Sequence, residues 1–192
     1  MNETIIPGIH RMPVIRKKEK SPPSTDRLPE NIFHSIDSII GKARNINRLF
    51  FSFIKKLNRF LPINRAALVI YSNRDKVLKV IALKGETARE GLALTLPAGN
   101  SLLGRVYNSR ATYIADTPFF FSGNFFERKV LIGPGTKSVL VTPIITGGKA
   151  YGLICLSSTK EFAFENYDSS ILDRIFRKLG IAVGDLAPLL NI

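Results

Sequence analysis

The sequence predicts an α+β fold in which one antiparallel sheet is preceded and followed by helices. Two pairs of apolar, β-branched runs carry this reading: 66–71 with 77–83, and 138–145 with 149–157. Each pair is joined by a short polar or glycine turn, as antiparallel hairpins are. Apolar residues at helical spacing occupy 32–61 before the first pair and 171–186 after the second. At 192 residues, with 45% hydrophobic and 22% charged, the chain has length for one domain with its own core, plus some unstructured length.

Residues 1–28 read as a disordered basic arm. Pro7, Pro13, Pro22 and Pro23 forbid a continuous helix, and Arg16-Lys17-Lys18-Glu19-Lys20 is a solvated charge run. The arm is read as a tether, or as a short motif docking through Ile5, Ile9, Met12, Val14 and Ile15. Residues 29–61 form an amphipathic helical segment opened by Pro29, whose missing N–H costs nothing in a first turn. Along it Ile32, Ile36, Ile39, Ala43, Ile46, Phe50, Phe53 and Leu57 alternate spacings of 4 and 3, which is a heptad seam. Phe33, Ile40, Ile54 and Leu61 widen the stripe. Its width calls for two partners, the domain's own sheet and a second helix, so a homodimer is expected through Ile36, Ile39, Ile46, Phe50, Phe53 and Leu57. Gly41 and the Asn45/Asn47 pair weaken the middle and mark a kink or break. The polar side carries Lys42, Arg44, Arg48, Lys55, Lys56 and Arg59, read as a solvated basic face or as a membrane- or groove-binding one.

Pro62 closes the segment, and residues 62–192 form the domain core. Strands are expected at 66–71, 77–83, 92–96 and 112–114, the third stopped by Pro97 and Gly99. A short helix over 101–109 is capped by Asn100 or Ser101. Residues 117–135 read as irregular and dominated by aromatics. Gly147-Gly148 is a primed-turn signal between the last two strands. The final helix is capped by Asn166 or Asp168, buries Ile171, Leu172, Ile175, Leu179, Ala182, Val183 and Leu186, and is ended by Pro188.

Particular residues within this order resemble a known family. Ser101-Leu102-Leu103-Gly104-Arg105-Val106 followed by Thr112-Tyr113-Ile114-Ala115-Asp116 is similar to the middle of GAF domains. Ser138 to Ile144 and Gly152 to Ser158 are similar to their last two core strands, and Phe164 and Asp168 leading to Leu172 to their closing helix. The resemblance covers about 33–187. It implies a six-stranded sheet with helices behind it and a small-molecule pocket on the other face, roofed by 98–135. It also implies dimerisation through the first and last helices.

Charge and chemistry narrow the function. The net charge is +13, with 13 Lys/Arg against 5 Asp/Glu in residues 1–65. An acidic partner (protein, nucleic acid or anionic membrane surface) is therefore expected at the basic N-terminal region. The single cysteine excludes an intrachain disulfide, the N-terminus lacks a signal-peptide pattern, and the apolar stretch 49–61 is short and charge-broken; a cytoplasmic protein is expected. The two histidines, His10 and His34, lie outside the strands and loops of the core, so neither a catalytic triad nor a metal site is expected. Cys155 alternates with apolar neighbours in a strand and reads as a small core residue. The resemblance adds that free methionine sulfoxide reductases of this type need more than one cysteine. It adds that no counterpart of a bilin-attaching cysteine or of the cyclic-nucleotide signature is present. No covalent chromophore is expected, and no enzyme.

The loop Phe119-Phe120-Phe121-Ser122-Gly123-Asn124-Phe125-Phe126 holds five phenylalanines in eight residues. It is read either as a lid whose rings enclose a planar ligand, with Lys137, Ser138 and Thr142 orienting it, or as rings that fill the pocket themselves. Gly133-Pro134-Gly135 beside Lys137 reads as a turn entering a strand rather than an anion nest. The expected function is a non-catalytic sensor that binds a small molecule and signals through dimerising terminal helices. The alternative is an interaction module with an aromatic-filled pocket.

Overall fold

The computed structural model describes residues 31–85, 94–116, 123–164 and 169–186. Six strands form one sheet: β1 (Arg65–Ser72), β2 (Val77–Lys84), β3 (Thr95–Pro97), β4 (Tyr113–Ala115), β5 (Ser138–Thr146) and β6 (Lys149–Ser158). Their order is β3-β2-β1-β6-β5-β4, and every neighbouring pair is antiparallel. Both expected hairpins form. The β5–β6 turn places Gly147 and Gly148 at φ 55° and 72°, the left-handed conformation a primed turn needs and glycine adopts without strain. Gly152 has a different reason: a Cβ there would lie 2.1 Å from the Val69 carbonyl oxygen of β1.

The segment expected over 29–61 is two helices, α1 (Asn31–Lys42) and α2 (Ile46–Leu57). The break falls in the weakened middle because Asn45 caps the second helix, its side chain accepting the Arg48 N–H at 2.8 Å. The remaining described helices are α3 (Leu102–Ser109), α4 (Phe125–Leu131) and α5 (Ser169–Leu186). Helix α4 corrects the irregular reading of 117–135. Asn124 and Glu127 form a reciprocal capping box that starts a helix between two aromatic residues and an apolar end. Residues 117–122 lie outside the described residues, as do Pro29, the arm 1–28, the caps Asn166 and Asp168, and Pro188.

The period-two alternation of the strands divides the apolar residues between two faces. On the first face Ala66, Leu68, Ile70, Leu140, Ile144, Ile154 and Leu156 pack against α1, α2 and α5. On the second, Ala67, Val69, Val139, Val141, Leu153 and Cys155 pack beneath α3 and α4. Ile36, Ile46, Phe50, Phe53 and Leu57, the seam expected to hold a second chain, are all buried in the first core, and Ile39 is partly buried beside it. Phe53 also meets the Phe176 ring of α5 at 6.3 Å. The heptad spacing is thus accounted for within one chain: the helical partner of the stripe is α5, and the sheet is the other. Lys178 of α5 pairs with Asp37 of α1, tying the two helices at the surface.

Candidate functional site

The second face is where the chain buries its charges. Helix α3 starts at Ser101, whose Oγ accepts the Gly104 N–H at 2.9 Å and donates to the Pro97 carbonyl at 2.8 Å. Helix α4 starts 23 residues later at Asn124, and one carboxylate serves both starts. Glu127 is fully buried; one oxygen accepts the Leu103 N–H of α3 at 2.6 Å and the other the Asn124 N–H at 2.8 Å. A buried carboxylate belongs at such a point, because the free N–H groups and positive dipole end of a helix favour negative charge.

The other end of α4 meets the opposite charge. Arg65, 3% exposed at the start of β1, donates from Nε to the Val130 carbonyl at 2.9 Å and from Nη2 to the Lys129 carbonyl at 2.6 Å. These are carbonyls of the last turn, which lack partners within the helix. Helix α4 is therefore held at its start to α3 and at its end to the sheet. Leu102, Leu103 and Val106 of α3 and Val130 and Leu131 of α4 pack between these two points. At the rim, the Tyr71 and Tyr107 rings stack at 4.7 Å and the Tyr107 hydroxyl donates to the Ala150 carbonyl at 3.1 Å. Burial, then the neighbouring Tyr71, push the Tyr107 phenol above its ordinary range.

Cys155 lies on the same face, fully buried. Burial foremost, and next the Glu127 charge, push its thiol up. A thiol that holds its proton this firmly is a poor nucleophile. Ser157, two residues along and 1% exposed, has an Oγ without a hydrogen-bond partner among the described residues. Also among the described residues, no three His, Cys, Asp or Glu side chains converge as a metal site requires, and no helix is long and apolar enough to cross a membrane.

Among the described residues, the pocket candidates Phe125, Phe126, Lys137, Ser138 and Thr142 are not brought together. Phe119, Phe120 and Phe121 lie outside the described residues. Phe125 and Phe126 are 66% and 52% exposed on α4, edge-to-face with each other at 5.7 Å, with the Lys129 ammonium over the Phe125 ring. They point outward because the opposite side of this short helix carries Glu127, Val130 and Leu131. Ser138 and Thr142 alternate in phase with Leu140 and Ile144, which places them on the first face, away from α4. Ser138 donates to the Lys160 carbonyl at 2.8 Å, and Thr142 shares a 2.9 Å hydrogen bond with Thr112. Lys137 is exposed and pairs with Glu161 at 3.1 Å. The glycine turn beside it closes on itself, Gly133 N–H donating to Thr136 Oγ1 at 3.0 Å.

Sequence reasoning missed Glu127 and Arg65. The Asn124–Glu127 spacing is a capping-box signal and locates the first. An arginine abutting a wholly apolar strand is a weaker sign of the second.

Comparison with known proteins agrees with this architecture. The family model of the GAF domain matches residues 45–183. No curated protein matches the chain. Among solved structures, the GAF domain of a phosphoenolpyruvate-protein phosphotransferase from Coxiella burnetii superposes with a TM-score of 0.67 at 16% identity, covering 84% of this chain and 98% of that one. The GAF domain of a two-component sensor histidine kinase from Bacillus halodurans gives 0.62 at 19% identity, covering 77% and 99%. Free methionine-R-sulfoxide reductase from Neisseria meningitidis, in complex with its substrate, gives 0.67 at 15% identity, covering 89% and 97%. Matched by the family model over most of its length and sharing its sheet and helices with these domains, the chain belongs to the GAF domain family.

Proposed function

We propose that the chain is a non-catalytic sensor module that takes a small ligand beneath α3 and α4 and passes the bound state through the sheet to α1, α2 and α5. GAF domains are sensor and regulatory domains of signalling proteins, which makes this the starting point. One observation carries the reading: the α3–α4 cover is pinned by two buried ions, and one of them belongs to the central strand shared by both faces. Arg65 grips the end of α4, while Ala66 beside it packs in the core that holds the terminal helices. A ligand that lifts or settles α4 therefore pulls on β1, and β1 bears on α2. The reductase fold of Neisseria holds its substrate on the same architecture, which supports a small molecule as the input. Against catalysis stand the raised Cys155 thiol and the use of Glu127 and Arg65 as helix anchors.

A second reading rests on a specific observation. The side chains of α3 and α4 already pack the second face with apolar groups, which suits an interaction module whose pocket is self-filled. Hydrogen exchange of the full chain, alone and with each of a panel of cyclic nucleotides, amino acids and 2-oxoacids, separates the two. The sensor reading expects one class to slow exchange in 102–109 and 125–131 and to alter it in 46–57. Exchange that no class changes in these segments supports the interaction module.

A further inference from the structure

From the groove between α1 and α2 we infer a docking site for an acidic peptide segment of a partner protein. The groove lies on the helical side, opposite α3 and α4, and the inference stands apart from whether a ligand binds there. It has a volume of about 520 Å³, and its wall carries Lys55, Lys56, Arg59 and His34, with three serine side chains between them and Ile39 also lining it. Among the described residues no carboxylate lines it. Between Asp37 and Asp75 the chain has eight Lys/Arg and no acidic residue, so the excess charge belongs to this stretch of sequence itself. Among the described residues the Lys55, Lys56 and Arg59 side chains enter no ion pair; Lys56 lies over the Phe60 ring at 6.0 Å.

The shape selects among anionic partners. Lys55 and Lys56 lie in the last turn of α2 and Arg59 sits in the turn just beyond it, its N–H bonded to the Lys56 carbonyl. Three cations grouped at one helix end suit a few clustered carboxylates better than the long phosphate rows of a duplex. A bilayer is flat and meets ridges before grooves. Ile39 and the methylene stems of the lysines offer an apolar wall that a peptide side chain uses and an inorganic anion does not. Ser35 already donates to the Asn31 carbonyl at 3.0 Å, which leaves the Ser38 and Ser52 hydroxyls and the His34 imidazole to add hydrogen bonds for carboxylates and backbone.

The test is fluorescence anisotropy of the full-length chain with a short labelled peptide of alternating Glu and Leu, paired with amide chemical-shift mapping. Binding should be saturable, weaken as salt screens it, and shift amides of 34–39 and 52–59. Lys55→Glu with Arg59→Glu should weaken it by about tenfold or more, since like charges then face the peptide. Lys42→Glu with Arg44→Glu, outside the groove, should leave it nearly unchanged. Equal losses from both double variants, shifts confined elsewhere, or no binding would overturn the site. Tighter binding of phosphatidylglycerol vesicles or a DNA duplex at these same residues would overturn the choice of partner. Because the shift map uses the unaltered protein, a variant that misfolds does not remove the test.

Discussion

Replacing Glu127 by Gln tests the anchoring of the α3–α4 cover directly. The carboxylate accepts two backbone N–H bonds, from Leu103 at 2.6 Å and from Asn124 at 2.8 Å, in a fully buried position. An amide keeps one acceptor oxygen and turns an NH₂ group toward the other N–H, so one helix start loses its partner. Hydrogen bonds to a charged group contribute about 1.5–3 kcal/mol each and neutral ones about 1 kcal/mol, and a stranded buried donor costs about 1–3 kcal/mol. The variant also escapes part of the desolvation cost of a buried ion, which offsets some of the loss. The net expectation is a destabilisation of about 2–3 kcal/mol. At about 2–4 °C per kcal/mol for a domain of this size, the melting temperature falls by about 4–12 °C. Urea unfolding followed by circular dichroism gives the free energy, and hydrogen exchange at the Leu103 and Asn124 amides gives the place. A melting temperature unchanged from wild type, with both amides equally protected, would refute the view that this carboxylate holds the cover.

Further expectations follow from the same packing. Cys155 should resist a thiol reagent in the folded protein and react fully in urea. Its folded-state pKa lies above the unfolded one, so the unfolded chain holds fewer protons at high pH; stability should fall as pH rises past about 8.5, and Cys155→Ala should flatten that fall. Gly152→Ala places a Cβ 2.1 Å from a β1 carbonyl, so β1 and β6 must part; a loss of about 3 kcal/mol or an insoluble product is expected, read from soluble yield and melting. Phe53→Ala removes a fully buried ring against Phe176 and should cost about 3–5 kcal/mol. Light scattering on that variant should show instability rather than a simple halving of mass, because the ring is buried in its own chain.

Much of the fold was legible because it rests on local signals. Gly147-Gly148 demands a turn, and alternating apolar runs on both sides of it demand strands. The break between α1 and α2 was legible in Gly41 and Asn45. The seam on these helices was legible as a stripe but not in its use. Residues at alternating spacings of 4 and 3 look alike whether they face a second chain or α5 and the sheet, and only the tertiary packing of Phe50 and Phe53 decides it. The site was less legible for the same reason. Alternation alone puts Ser138 and Thr142 on one face with Leu140, yet which face lies under α3 and α4 depends on where distant helices dock. Phe125 and Phe126 looked like lid residues while 117–135 read as irregular; once Asn124 and Glu127 start a helix, its buried side is set by Val130 and Leu131 instead. Glu127 itself joins positions 24 residues apart, a contact no local pattern encodes.

The most direct test of the sensor reading is a thermal-shift screen of the full chain against cyclic nucleotides, amino acids, 2-oxoacids and haem, with native mass spectrometry for co-purified molecules. A ligand that binds only the folded state adds about 2.7 kcal/mol at a concentration one hundred times its Kd. At about 2–4 °C per kcal/mol, the account predicts that one class raises the melting temperature by about 5–11 °C. No rise with any class and no co-purified mass would contradict the sensor reading, and would leave this GAF domain a module for protein contacts.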